Sequence, residues 1–323
     1  MIRESVSNRP SIPNDLKDRL PVRTPNWGTS APRAAIKATW LGHACFLVEL
    51  PPEEGAERGV RVLFDPVFSH RCSPSQIVGP SRYTKAPCKV QDIPEVDAIV
   101  ISHNHYDHMD TYTLTTLFAG THKPQVFAPL GNESYLQSLK GVPKSHVHTL
   151  DWWHSNSLTT PHGAVKLHCL PAQHFTSRSL TDRFKTLWAS WALEGSGKKV
   201  WFGGDTGYRT VHNGEDEDKV PVCPAFSQIG DAFGEFDFAM IPIGAYLPRA
   251  FMSAIHCAPQ DSVRIFQDIH ARKAVGMHWG TWVLTTEDVL EPPERLKQEA
   301  AKLGLQPDAF TTCKEIGETV IIE

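Results

Sequence analysis

Nothing in this 323-residue chain reads as a membrane span, because no apolar run approaches the ~20 residues that a spanning helix needs. Any contact with a membrane is therefore expected to be peripheral. A basic surplus is also missing. Lys and Arg total 32 against 36 Asp and Glu, for a formal net charge of −4, so there is no electrostatic footprint for nucleic acid. The chain has no Gly-rich phosphate loop and no G-x-S-x-G elbow, which leaves nucleotide-binding and serine-hydrolase readings without support. Its seven cysteines are scattered, odd in number and free of any C-x-x-C pair, so they read as reduced thiols of an intracellular protein. The first twenty residues lack the apolar core of a secretory signal and mix Glu4, Asp15 and Asp18 with basic residues. That pattern argues against secretion and against a mitochondrial presequence. The expected location is cytoplasmic or peripheral on a membrane surface. At 41% hydrophobic and 21% charged residues, the composition is that of a soluble globular protein able to bury a substantial core.

Histidine is what the chain has in an informative place. Four metal-competent side chains fall within His103-Asn104-His105-Tyr106-Asp107-His108. Imidazole nitrogen and carboxylate oxygen suit zinc and its first-row neighbours. The preceding residues 96–102 are apolar and branched, the pattern of a buried strand ending at a site. A short loop there can turn His103 and His105 toward one ion, and Asp107 and His108 toward a second. Two adjacent ions can activate a water and hold a substrate oxygen at once. The alternative is a polar loop that happens to be histidine-rich, and residues downstream weigh against it. His174 follows an apolar stretch at 165–171, and His278 ends another at 274–277. Asp205 follows a third, at 199–202, inside Gly203-Gly204-Asp205-Thr206-Gly207. The glycines are expected to let the backbone pass close to an ion, and one carboxylate can bridge two metals.

This ordered set resembles the metallo-β-lactamase superfamily of hydrolases. Longer strings resemble one family within it, the N-acylphosphatidylethanolamine-hydrolysing phospholipase D enzymes. They include Thr39-Trp40-Leu41-Gly42-His43-Ala44, Asp65-Pro66-Val67-Phe68-Ser69, Ser73-Pro74-Ser75-Gln76 and Leu150-Asp151-Trp152-Trp153. Gly204-Asp205-Thr206-Gly207-Tyr208, Ile241-Pro242-Ile243-Gly244-Ala245-Tyr246 and His278-Trp279-Gly280-Thr281 extend the match. The resemblance implies an α/β fold, an αββα sandwich of two packed mixed β-sheets flanked by helices. It implies two Zn2+ per chain, one on His103, His105 and His174, the other on Asp107, His108 and His278, with Asp205 bridging.

Asp205, His256 and Tyr106 are the expected catalytic residues. His256 matches a histidine that contacts the substrate phosphate in the family, where a glutamine commonly precedes it and this chain has Ile255. Tyr106 could donate a further hydrogen bond, with packing as the alternative. The implied reaction is hydrolysis of an N-acylated phosphatidylethanolamine to an N-acylethanolamine and a phosphatidic acid. A lactonase or other carbonyl hydrolase on the same scaffold is the competing reading, since fold does not fix function. The implied partner is the phospholipid substrate, and the resemblance leaves room for a homodimer.

Around these motifs, residues 1–33 carry five prolines and no periodic apolar pattern, and read as an extended arm before a single domain at 34–323. Helices are expected at 111–118, 133–140, 259–269 and 286–303, with Pro259 and Glu287 in first turns. Asp65 is expected to orient a metal-bound histidine, and His43 to be a buried, hydrogen-bonded one. Residues 209–222, with four consecutive acids at 215–218, form an insertion that departs from the family pattern. A solvated surface loop is the expectation, and a lid is the alternative.

Overall fold

A computed structural model describes residues 9–323. Several strands are apolar on both faces, which requires cover on both sides; two packed sheets with helices outside supply it. The first sheet holds β1 (Ile36–Gly42), β2 (Cys45–Glu49), β3 (Arg61–Phe64), β4 (Ala98–Val100), β5 (Gln125–Pro129), β6 (Val147–Leu150) and β14 (Thr319–Ile322), in the order β14-β1-β2-β3-β4-β5-β6. The second holds β7 (Ser155–Thr160), β8 (Gly163–Leu170), β9 (Ser190–Gly195), β10 (Lys198–Phe202), β11 (Phe238–Pro242), β12 (Ala274–Met277) and β13 (Phe310–Thr311), in the order β13-β12-β11-β10-β9-β8-β7. Each sheet is mixed. Pairing is antiparallel from β14 through β3 and parallel from β3 to β6, and the second sheet repeats this from β7 to β10 and from β10 to β13.

Side chains alternate along each strand. Trp40, Phe46, Phe64 and Val100 join Leu167, Trp191, Phe202 and Met240 in one core between the sheets, where the Phe64 and Phe202 rings lie 4.6 Å apart. Leu41, Leu47, Leu63 and Ile99 take the opposite face and pack with Leu114, Phe118 and Leu136. Those last residues belong to, or directly follow, the outer helices.

The helices are α1 (Leu16–Arg19), α2 (Thr111–Leu117), α3 (Glu133–Ser138), α4 (Ala225–Phe233), α5 (Arg249–Met252), α6 (Pro259–Asp268) and α7 (Glu291–Lys302). Three of the four expected helices appear as α2, α3 and α6. The fourth begins at Glu291 instead of near residue 286. Pro292 lacks an N–H and is tolerated only in a first turn, while the Glu287 carboxylate accepts from the backbone of Ala245, Tyr246 and Leu247 and so belongs to a loop. Helix α4 was not expected, although Phe226, Ile229, Gly230 and Phe233 follow helical spacing. Of the expected arm, residues 1–8 lie outside the described residues. The remainder lies against the sheets through buried Leu16 and Leu20, with Arg23 donating to the Ile316 carbonyl at 2.9 Å.

Candidate metal centre

The C-terminal ends of β4, β8, β10 and β12 deliver His103, His174, Asp205 and His278 to one place. The loop after β4 closes on itself, with the amides of His108 and Met109 both donating to the His105 carbonyl, and this turns the loop side chains inward. Gly204 has a φ of +56°, and a Cβ there would meet the Ser102 side chain at 2.6 Å. Its freedom therefore serves close passage of β10 past the residue preceding His103, a tighter reason for glycine than the expected approach to an ion. Asp65, His43 and His278 all hold left-handed backbone at φ of 38°, 54° and 64°. Such strain in non-glycine residues concentrates at functional sites.

Two groups of candidate ligand atoms result. In the first, His103, His105, His174 and Asp205 gather with their ligand atoms within 4.8 Å of one another. His103 Nε2 is 2.8 Å and His174 Nε2 3.3 Å from His105 Nδ1. The second contains Asp107, His108 and His278, and adds His43. Asp107 Oδ2 stands 3.0 Å from His43 Nε2, 3.5 Å from His108 Nε2 and 3.6 Å from His278 Nε2. Asp205 spans the two groups. Its Oδ2 lies 3.2 Å from His108 Nε2, 3.7 Å from His174 Nε2 and 3.8 Å from His103 Nε2, while its Oδ1 lies 3.0 Å from His278 Nε2.

The surroundings determine which ring nitrogen of each histidine faces inward. Asp65 Oδ2 holds His108 Nδ1 at 2.6 Å, Ser102 Oγ lies 2.8 Å from His103 Nδ1, and His174 Nδ1 donates to the Ile255 carbonyl at 2.8 Å. Nε2 of all three rings is left for the centre. His108 Nε2, both ring nitrogens of His278 and Asp205 Oδ1 are buried without hydrogen-bond partners. Isolated, such atoms cost about 1–3 kcal/mol each. Clustered nitrogen and oxygen donors of this kind fit divalent first-row ions.

Charge reinforces the fit. Burial, the largest single effect, would raise Asp205 and Asp107, but the neighbouring histidines together, His108 foremost, outweigh it and hold both carboxylates well below their ordinary range. Burial would lower His108 and His278; the carboxylates, Asp205 foremost, instead hold His108 well above its ordinary value and His278 up at about 9. His103 and His174 are pushed well down, first by burial and then by neighbouring imidazoles.

Comparison with known proteins identifies the family. The Beta-lactamase superfamily domain matches residues 60–279. An N-acyl-phosphatidylethanolamine-hydrolyzing phospholipase D of Caenorhabditis elegans is 35% identical over 98% of this chain and 85% of its own length. The chain belongs to the N-acylphosphatidylethanolamine-hydrolysing phospholipase D family. A mitochondrial enzyme of that name from Saccharomyces cerevisiae is 31% identical over 97% of this chain and 69% of its own length. Among solved structures, a metallo hydrolase of the archaeon Ignicoccus hospitalis shares the fold, with a TM-score of 0.59 at 19% identity over 90% of this chain and 99% of its own. The two seven-stranded mixed sheets with outer helices are thus the metallo-β-lactamase fold that this phospholipase D family uses, and the chain is a metal-dependent hydrolase by family.

Two further residues were expected at the family's site. His256 arrives: it forms a third group with Asp205 and His278, its Nδ1 is 4.0 Å from Asp205 Oδ2, and that nitrogen is buried without a partner. Burial pushes its pKa down to about 4 despite the nearby Asp205, so the imidazole is neutral rather than cationic near pH 7. Tyr106 is engaged elsewhere. Its hydroxyl donates to the Arg178 carbonyl at 2.9 Å, and the Arg178 guanidinium lies 4.1 Å over its ring.

Sequence reasoning missed Arg178. Its Nη1 donates to the carbonyls of Asn104 and Met109, both at 2.8 Å, and so braces the ligand loop from both ends. No local pattern marks an arginine seventy residues away. His43 is buried and hydrogen-bonded, as expected, and it adjoins the centre: its Nε2 faces Asp107, its ring lies 4.1 Å from that of His278, and burial pushes its pKa down to about 3.

Proposed function

We propose that this chain is a binuclear zinc phosphodiesterase of phospholipase D type, converting an N-acylphosphatidylethanolamine to an N-acylethanolamine and a phosphatidic acid. The observation that carries the chemistry is Asp205, whose carboxylate reaches both groups of candidate ligands, with Oδ2 between His108 Nε2 at 3.2 Å and His174 Nε2 at 3.7 Å and Oδ1 3.0 Å from His278 Nε2. An identity of 35% over 98% of this chain and 85% of a relative bearing this activity in its name supports the substrate.

In this reading His103 Nε2, His105 Nδ1, His174 Nε2 and Asp205 hold one ion, and Asp107, His108 Nε2, His278 Nε2 and Asp205 the other. When bound, a pair of zinc ions lowers the pKa of water and draws charge from phosphoryl oxygens. His43 is not needed as a ligand. As a neutral imidazole at 3.0 Å it donates to Asp107 and orients that carboxylate. His256 supplies a neutral N–H for a phosphoryl oxygen, strongest where charge builds in the transition state. Water attacks phosphorus and its oxygen forms the new P–O bond of phosphatidic acid, while the P–O bond to the N-acylethanolamine oxygen breaks and that oxygen leaves with the proton the water gives up.

Apolar surface adjoins this machinery. Phe175 packs on the His105 ring at 4.7 Å, and Phe184 packs on Phe175 at 6.0 Å and is half exposed. Acyl chains can lie along such a run while the phosphate sits at the centre. No helix among the described residues is long and apolar enough to cross a membrane, and the reading needs only peripheral contact with lipid.

The test is metal analysis of purified protein together with turnover of phosphodiesters, lactones and carboxylic esters, with products identified. Two transition-metal ions per chain, mainly zinc, and release of N-acylethanolamine are expected. Faster turnover of lactones or esters would replace this reading with the carbonyl-hydrolase one.

A further inference from the structure

The acidic insertion is neither loose nor poised as a lid. Its base is closed by a bridge between Arg209 and Val222 and by the Cys223 amide, which donates to the Tyr208 carbonyl at 2.7 Å. From there it folds onto the segment that carries His256. Glu217 is the first anchor: Oε2 pairs with Arg249 Nε at 3.0 Å, and Oε1 accepts from Gln260 Nε2 at 2.8 Å. Asp218 is the second, with Oδ1 2.8 Å from Arg264 Nη2 and 3.2 Å from Arg209 Nη1. Beneath them lies Asp261, fully buried, which takes Arg209 Nε at 2.7 Å, Arg249 Nη2 at 2.5 Å and the Ala258 amide at 3.1 Å. The Val211 amide donates to Ser253 Oγ at 2.8 Å.

These contacts grip residues 249–261 from outside, and the same stretch grips the centre from inside. The Met252 carbonyl accepts the His256 amide at 2.8 Å, and the Cys257 amide donates to the Thr206 carbonyl, next to Asp205, at 2.7 Å. The Ile255 carbonyl takes His174 Nδ1, and the Ala254 carbonyl takes Gln173 Nε2. We infer that the insertion is a strap, with Glu217 and Arg249 as positioning residues that set the place of His256 against Asp205. Glu217 is the half-buried outer partner of Arg249, whose inner partner Asp261 is fully buried, so removing Glu217 loosens the outer hold on a guanidinium that the buried carboxylate still needs. Displacement of a catalytic group by about 1 Å, from a change far from the chemistry, can cost about a hundredfold in rate. The inference rests on the reading of His256 given above for turnover, but not for the hydrogen exchange of residues 252–257.

The experiment shortens the strap. An Asn-Gly turn replacing residues 210–221 suits the existing bridge, since two-residue hairpin turns favour that pair. Glu217→Ala and Glu217→Gln accompany it. Glu215→Ala serves as the control, because its carboxylate accepts only from the insertion's own His212 amide. Three quantities are read: metal content, kcat and KM on a soluble chromogenic phosphodiester, and amide hydrogen exchange across residues 252–257.

The shortened chain and Glu217→Ala are expected to keep their metal and lose about tenfold to a hundredfold in kcat, with KM nearly unchanged. Amides 252–257 should exchange faster, Glu217→Gln should recover part of both effects, and Glu215→Ala should match the parent. Unchanged kcat in the shortened chain overturns the inference. So does a loss of kcat with unaltered exchange, which would make the insertion a substrate-contacting lid. If the parent hydrolyses only carbonyl esters, the phosphodiester reading fails, while the exchange comparison and kcat on those esters still decide the strap.

Discussion

Asp65 Oδ2 lies 2.6 Å from His108 Nδ1, and both side chains are fully buried. Ser102 donates its amide to the other oxygen of the same carboxylate at 2.7 Å, so the carboxylate cannot turn. The pair keeps the proton of His108 on Nδ1 and leaves Nε2, otherwise partnerless, for an ion. Asp65→Asn is therefore expected to lower metal affinity about 10- to 100-fold with the fold intact. Competition against a chelator measures it. Parent-like retention of both ions would show that His108 needs no such partner.

The protonation of the ligands predicts how metal uptake depends on pH. His278 is held up at about 9 and His108 well above its ordinary value, in both cases by the carboxylates that outweigh burial. An ion takes only a neutral imidazole, so below pH about 9 uptake must displace the His278 proton. Apparent zinc affinity should rise between about pH 6 and pH 8, with protons released into a weakly buffered solution. A flat affinity over that span would contradict the coupling.

Much of this centre was legible because metal ligands at strand ends leave a local mark. Branched apolar runs stop shortly before His103, His174, Asp205 and His278, and at those ends the strands are buried on both faces, as the two-sheet fold requires. Asp65 was legible for the same reason, as a carboxylate directly after β3. What escaped reading is what any residue type can supply or what acts at long range. The carbonyl that orients His174 belongs to Ile255, and a carbonyl has no sequence signature. Arg178 reaches the ligand loop from 74 residues beyond Asn104. The four acids of the insertion suggested a solvated run, yet Glu217 and Asp218 meet Arg209, Arg249 and Arg264, whose convergence is a property of the folded chain alone.

Asp205 should prove less replaceable than any single histidine. Its carboxylate faces both ligand groups, at 3.0 Å from His278 Nε2 and 3.7 Å from His174 Nε2. Asp205→Asn keeps the shape and removes the charge that serves both ions. His174→Ala removes one neutral ligand, which water can partly replace. Residual activity and zinc content should both be lower in Asp205→Asn; comparable values for the two variants would count against the bridge.

His256 separates catalysis from metal holding. Its Nδ1 stands 4.0 Å from Asp205 Oδ2, buried and without a partner, and the ring is neutral because burial pushes its pKa down to about 4. A neutral N–H at that place can stabilise a phosphoryl oxygen without competing for an ion. His256→Ala is expected to retain both metals and lose about 10²–10³ in kcat, the usual cost of one electrostatic donor. KM should change less, since the contact strengthens as charge develops. His105→Ala offers the contrast, because losing Nδ1 at 2.8 Å from His103 Nε2 should deplete zinc along with activity. Metal analysis beside steady-state kinetics distinguishes the two. A His256→Ala protein with full metal and near-parent kcat would remove His256 from the reaction, and with it the strongest sign that this centre is shaped for phosphorus rather than for a carbonyl.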